Sequence, residues 1–180
     1  TVSGTLNLNF PGTLTLPTVD FTAGSIGGST NLDIPSGGTM NWGPGGALGG
    51  TGVTNIASGA TLNIIRNNTN NQFLNRVLNN SGTAIMNGSG TPSGMFFTNG
   101  TFNNQAGAVF DIRIDTGLSV NTGTNAFNNA GTFRKSVTTG TSSVTIPVNN
   151  SGTVDLQTGT LSFGAGYVQT AGSTFLNGGG

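Results

Sequence analysis

The chain has no cysteine and no histidine, and its five acidic residues are all aspartate, so glutamate is missing too. Without Cys or His there is no thiol nucleophile, no Ser–His dyad and no ordinary zinc site. Without Cys there is also no disulfide, which fits an exported protein held together by packing alone. Charge is scarce. Charged residues make up 6% of the chain, five basic against five acidic, for a net charge of zero. That excludes the basic face needed to track phosphates and the polybasic patch needed to hold a membrane surface. No apolar run approaches the length of a membrane span. No stretch holds a helical period long enough for a stable helix; Phe73 to Leu78 (FLNRVL) would make one turn at most. The glycine-rich stretch GPGGALGG (Gly43 to Gly50) lacks the Lys-Ser/Thr of a phosphate loop. The recurring Asp of a Ca²⁺ nonapeptide is absent. No cofactor and no nucleic-acid partner are expected. The chain opens at Thr1 without Met or a signal segment, as a mature or excised piece would.

What is present is small and polar. Gly, Thr, Asn and Ser fill about 100 of the 180 positions, well above ordinary usage. The apolar residues between them are mostly Val, Ile, Leu and Phe, placed at regular intervals, which argues for order. A motif recurs: VNNSGTVDLQTG (Val148 to Gly159), LNNSGTAIMNG (Leu78 to Gly88), FNNQAGAVFDIRIDTG (Phe102 to Gly117) and FNNAGTFRKSVTTG (Phe127 to Gly140). Looser copies begin at Leu32, Val53 and Val168. Taking Gly38, Gly59, Gly82, Gly107, Gly131, Gly152 and Gly172 as markers gives steps of 21, 23, 25, 24, 21 and 20 residues. Spacing in this range signals a solenoid or array, and its variation points to a coil with loops at its corners.

Strand signals of period two run throughout, separated by Gly, Pro, Asn and Ser. Thr5 to Phe10 places Leu6, Leu8 and Phe10 on one face. Further strands are read at Thr13–Leu16, Val19–Phe21, Asn31–Ile34, Thr39–Trp42, Val53–Ile56 and Thr61–Ile65. Later ones are Val109–Ile114, Thr132–Val137, Val144–Val148, Thr153–Leu156, Thr160–Phe163 and Thr174–Leu176. An antiparallel sandwich and a parallel solenoid both fit the alternation. The repeat decides, because a solenoid stacks equivalent positions about 4.8 Å apart and rewards the same residue in successive coils. Asparagine above asparagine can hydrogen-bond along the axis. Asn80, Asn104, Asn129 and Asn150 are therefore expected to form a buried ladder at a corner, with glycine at each corner supplying positive φ. The expected fold is all-β: a single-stranded right-handed parallel β-helix of seven or eight coils of 20–25 residues. Residues 1–180 make one domain: less regular coils over 1–65, loop insertions at 66–76 and 88–100, and regular repeats over 101–180. Phe110, Phe133, Val154 and Phe175 are expected to share one internal column.

Few residues suggest chemistry. Asp111, Arg113 and Asp115 alternate with isoleucines and so are expected on the outer face, where a carboxylate pair could serve a glycosidase or a Ca²⁺ site. A solvated, mutually neutralised strand face explains them as well. The second insertion brings Met95, Phe96 and Phe97 together, making Phe96 and Phe97 a candidate binding surface. Trp42 reads as inward-facing core. Thr-x-Thr occurs four times, at Thr13, Thr122, Thr139 and Thr158, mostly beside turn glycines, which makes an ice-binding array a remote alternative.

The block FNNAGTFRKS…VNNSGTVDLQTGTLSFGAGYVQTAGSTF (from Phe127) resembles the Asn-x-Gly-Thr repeats of large secreted bacterial surface proteins. It is similar in style to filamentous-haemagglutinin-like adhesins and autotransporter passenger domains. The likeness runs from about Leu78 onward and is looser before it. The resemblance implies a right-handed parallel β-helix, exported to the cell surface within a long modular chain, and it brings no catalytic residues with it. The expected role is structural or adhesive rather than enzymatic. The expected partners are the chain itself end to end, flanking repeats of a longer chain, and glycans or host and cell surfaces. A carbohydrate-binding or polysaccharide-degrading β-helix is the alternative.

Overall fold

The computed structural model describes residues 1–67, 70–89 and 94–177. The parts of the two expected insertions at 68–69 and 90–93, and the last three glycines of the final repeat, lie outside the described residues. The described chain is all β, with 24 short strands and no helix. They form three eight-stranded sheets, each made of every third strand in chain order, and every strand pairing is parallel. The result is a three-sided solenoid of about eight coils. The first sheet runs from Thr5–Leu8 to Thr160–Phe163, the second from Thr13–Thr15 to Tyr167–Gln169, and the third from Thr18–Phe21 to Ser173–Leu176.

Alternation along each strand feeds one core. In the second sheet Leu14, Leu32, Thr54, Leu78, Phe102, Phe127, Val148 and Tyr167 stack in one register column. In the third sheet Val19, Met40, Leu62, Ala84, Phe110, Phe133, Val154 and Thr174 stack in another. Where these columns meet, Phe102, Phe110, Phe127 and Phe133 pack ring against ring with centroids 4.9–5.5 Å apart. Such offset and edge-on pairs add to the stabilisation from burial alone. Trp42 is fully buried, and its indole N–H donates to the Gly46 carbonyl at 2.9 Å.

Several expectations are corrected. Phe175 leaves the internal column: it pairs with Asp155, faces outward and is 47% exposed, while Thr174 takes the inner place. The cause is the marker. The residues that precede the first residue of the third-sheet strands, from the second coil on, are Gly38, Ala60, Gly82, Ala108, Gly131, Gly152 and Gly172. Gly59 and Gly107 sit one residue earlier, in corners of four residues where those at Gly82, Gly131 and Gly152 have two. Positive φ is confined among the markers to Gly59, Gly107 and Gly172. Gly82, Gly131 and Gly152 have another reason to be glycine: a Cβ there would stand 2.1–2.3 Å from a carbonyl oxygen of the preceding coil.

The two insertions are largely coil. Arg66 closes the strand Thr61–Arg66, and Gln72–Leu74 is the next strand. Gly88 closes Thr83–Gly88, and Met95–Thr98 is a strand of the first sheet. Val144–Val148 is not a strand but a corner between Thr141–Val144 and Val148–Asn150. The third-sheet strands end earlier than expected, at Ile112 and Lys135, leaving Val137 58% exposed. In the first coil Leu6 holds the inward register of Ile26 but is 37% exposed, because no coil covers that end, and Phe10 lies beyond the strand Thr5–Leu8 and is exposed.

Candidate functional site

The charged residues were the first candidates for chemistry, and all ten have partners inside the fold. Asp111 occupies an outward position of the third sheet, stacked between Ile85 and Arg134. It is nonetheless fully buried, because side chains from its own and the next coil cover it. Arg113 Nε donates to its Oδ2 at 2.8 Å and Arg134 from the next coil at 2.9 Å; the Ser136 hydroxyl donates to Oδ1 at 2.8 Å. Burial pushes this carboxyl up, but the hydrogen bonds from Arg134, Arg113 and Ser136 outweigh it and hold the group below the usual carboxylate range. The hydrogen bond to Asp111, aided by its charge, pushes Arg134 up against the effect of burial.

Asp115 lies beyond the strand end, not on a shared face with Asp111. Its partner is Lys135, which occupies an inward position in register with Ile112 and Leu156. The Lys135 side chain is completely covered; its ammonium donates to Asp115 Oδ1 at 2.8 Å and to the Thr138 hydroxyl at 3.0 Å. Partial burial raises the Asp115 carboxyl, but hydrogen bonds from Lys135 and Thr138 bring it below its ordinary value. The two carboxylates therefore serve separate ion pairs and do not converge.

The remaining charges are structural as well. Arg76 is buried and donates to the carbonyls of Gly52 and Thr30, tying its coil to the two before it; burial lowers its pKa. Arg66 donates to the Gly94 carbonyl at 2.8 Å, and burial brings its pKa down to about 10. Asp155 accepts from Gln157 and Asn177. Of the two candidate aromatics, Phe97 is fully buried in the core, since a strand and not a loop carries it. Phe96 faces outward, half-buried, and packs on Phe73 of the preceding coil at 5.9 Å.

The asparagines build the most extended polar feature. Asn80 donates to Asn104 at 2.9 Å, Asn104 to Asn129 at 2.8 Å and Asn129 to Asn150 at 2.7 Å. Each of these four is at most 1% exposed. The amide orientation is fixed by the backbone: the same nitrogens of Asn80, Asn104 and Asn129 also donate to the carbonyls of Val109, Thr132 and Thr153. At the far end Asn150 donates to the Tyr167 hydroxyl, which donates in turn to Gln169. In the earlier coils Ile56 and Ile34 hold the same inward column, which is why the repeat reads as looser before Leu78.

A second ladder runs beside the first on the outer face. Asn149 donates to Asn128, Asn128 to Asn103, Asn103 to Asn79, Asn79 to Asn55 and Asn55 to Asp33, over 2.6–2.9 Å. Asp33 can only accept, so every amide nitrogen points toward the first coil, opposite to the inner ladder. A shorter row follows the same rule: Asn63 donates to Asn41, and Asn41 to Asp20. The alternation that placed Asn80 and its equivalents inside also places their neighbours outside, so this row was available in the sequence. The threonines after the corner residues also stack, from Thr18 through Thr39 and Thr61 to Thr83 and again at Thr132 and Thr153, with Val109 between the two runs.

Between the two ladders and the next corner lies an open groove of about 200 Å³. Asn103, Asn128 and Asn149 form one side and Gln105, Ala130 and Ser151 the other. No charged or aromatic residue lines it. Among the described residues no cluster of acidic side chains is arranged to hold a metal ion.

The fold and these ladders define the class: a three-sided parallel β-solenoid braced by asparagine rows. Comparison with known family models, curated proteins and solved structures finds no match.

Proposed function

We propose that this chain is a structural and adhesive β-solenoid segment of an extracellular bacterial surface protein or filament, without catalytic activity. One observation carries the reading: each of the ten charged side chains is engaged inside the fold. Two cap ladders, two bind backbone carbonyls, five form ion pairs and one accepts from side-chain amides. A surface on which hydroxyls and amides predominate, and the few exposed charges such as Arg113 and Asp115 are already paired, suits a spacer that presents itself to other surfaces. The terminal coils support continuation along the axis. A cleft of about 100 Å³ opens between Val2, Leu6, Leu16 and Leu32 at one end, and Leu176, in the inward register of Leu156, is 67% exposed at the other. Uncovered parallel edges recruit further strands, from flanking repeats or from another copy stacked head to tail.

Electron microscopy with light scattering on the isolated segment tests this. Filaments or concentration-dependent axial oligomers are expected. A strictly monomeric species would overturn self-stacking. Hydrolysis of an acidic polysaccharide, abolished by Asp111→Asn, would overturn the non-catalytic role.

A further inference from the structure

The two asparagine ladders differ in what they leave over. Each inner asparagine from Asn80 to Asn129 uses its amide nitrogen at least twice, for the next ladder bond and for backbone carbonyl oxygen. The outer asparagines use one N–H and one lone pair for the ladder. A carboxamide has two N–H donors and two lone pairs, so Asn103 and Asn128 each keep one donor and one acceptor beside the groove. These side chains are half-buried or exposed, in contrast with the sealed inner row. Unmet donor–acceptor pairs thus recur once per coil, about every 4.8 Å.

We infer that this groove binds a linear, neutral polysaccharide lying along the solenoid axis. The inference rests on the adhesive reading above and supplies its ligand class. A hydroxyl both donates and accepts, so neighbouring hydroxyls on one sugar match one amide's spare donor and acceptor. One pyranose ring in an extended chain is close to one coil in length, which lets successive sugars meet successive asparagines. The uncharged lining leaves nothing to pair with a uronate or sulfate, and burying such a charge unpaired is costly. Ala130, exposed and small, keeps the middle of the groove open. The site is concave with a few converging polar groups, as ligand sites are.

The test is frontal affinity chromatography of the folded segment over resins carrying dextran, galactomannan or a mixed-linkage β-glucan, with polygalacturonate as the charged comparison. At least one neutral polymer should retard the protein and shift the side-chain amide signals of Asn103, Asn128 and Asn149 in ¹⁵N NMR spectra. Ala130→Phe fills the groove without touching a ladder bond; it should weaken binding at least about tenfold with the thermal midpoint unchanged. Ser151→Leu serves if Ala130→Phe shifts the midpoint. The inference falls if no neutral polymer retards the chain, if polygalacturonate alone does, or if both blocked variants bind as the parent does. It falls also if the amide signals move only with protein concentration, which would put a second copy in the groove. Filament formation by a chain that binds no polysaccharide would remove this inference and leave the scaffold role standing.

Discussion

Replacing Asn129 with alanine removes the central rung of the inner ladder. Four bonds go at once: the one accepted from Asn104 and those donated to Asn150, to the Thr153 carbonyl and, at 3.3 Å, to the Gly131 carbonyl. Two of the stranded neighbours keep a partner, since Asn104 still donates to the Thr132 carbonyl and Asn150 still accepts from the Gly152 N–H. A buried polar group left wholly unsatisfied costs about 1–3 kcal/mol. The partly orphaned groups then sum to about 2–3 kcal/mol. For a chain of this size each kcal/mol lowers the thermal midpoint by about 2–4 °C, so Asn129→Ala should melt about 5–10 °C below the parent. Asn128→Ala is the control, because that side chain sits in the half-exposed outer row and water replaces its bonds, at a cost below about 1 kcal/mol. Asn129→Asp adds a sign. A carboxylate there faces the acceptors Asn150 Oδ1 and Thr153 O, so at neutral pH it should be worse than alanine and recover as acid protonates it. Circular-dichroism melts of the three variants decide the matter. Equal losses for Asn129→Ala and Asn128→Ala would refute the distinction between a sealed and a wet ladder.

Phe133→Asp should abolish cooperative folding, because it places an unpaired charge among Phe110, Phe127 and Phe163; a parent-like melt would mean the register is wrong. Lys135→Met should be neutral or mildly stabilising, since it fills an inward position while Asp115, 41% exposed, returns to water. Asp115→Ala should instead cost about 3 kcal/mol by stranding the covered ammonium, and urea titrations of the pair will show the asymmetry or its absence. Asp111 is held below its unfolded value, so its contribution is complete above about pH 4 and lost as the pH falls through the lower folded value. Acid titration of Asp111→Asn should therefore show a flatter acid limb than the parent, and identical limbs would rule that contribution out.

The solenoid was legible because stacking makes identity at one position visible as a repeat along the chain. Asn80, Asn104, Asn129 and Asn150 carried that signal, and the structure stacks them in one column. The first sheet was hard to read because strands such as Ser25–Gly28 and Ala47–Leu48 contain few large apolar residues to mark period two. Corner length misled the marker at Gly59 and Gly107, and with it the place of Phe175. The cover over Asp111 was invisible because Arg134 and Ser136 come from the next coil, 23 and 25 residues later. Local alternation gives a residue's face correctly and says nothing of what lies on top of it.

The opposed directions of the two asparagine rows bear on how long such a column can grow. Aligned amides behave like the peptides of a helix, whose dipoles sum to a partial charge at each end. Here the inner row points its N–H groups toward the last coil and the outer row toward the first. Side by side and antiparallel, their fields largely cancel at any length. Each added coil extends both rows together, so a solenoid built this way can be lengthened without accumulating from its asparagine rows an electrostatic strain at its tips.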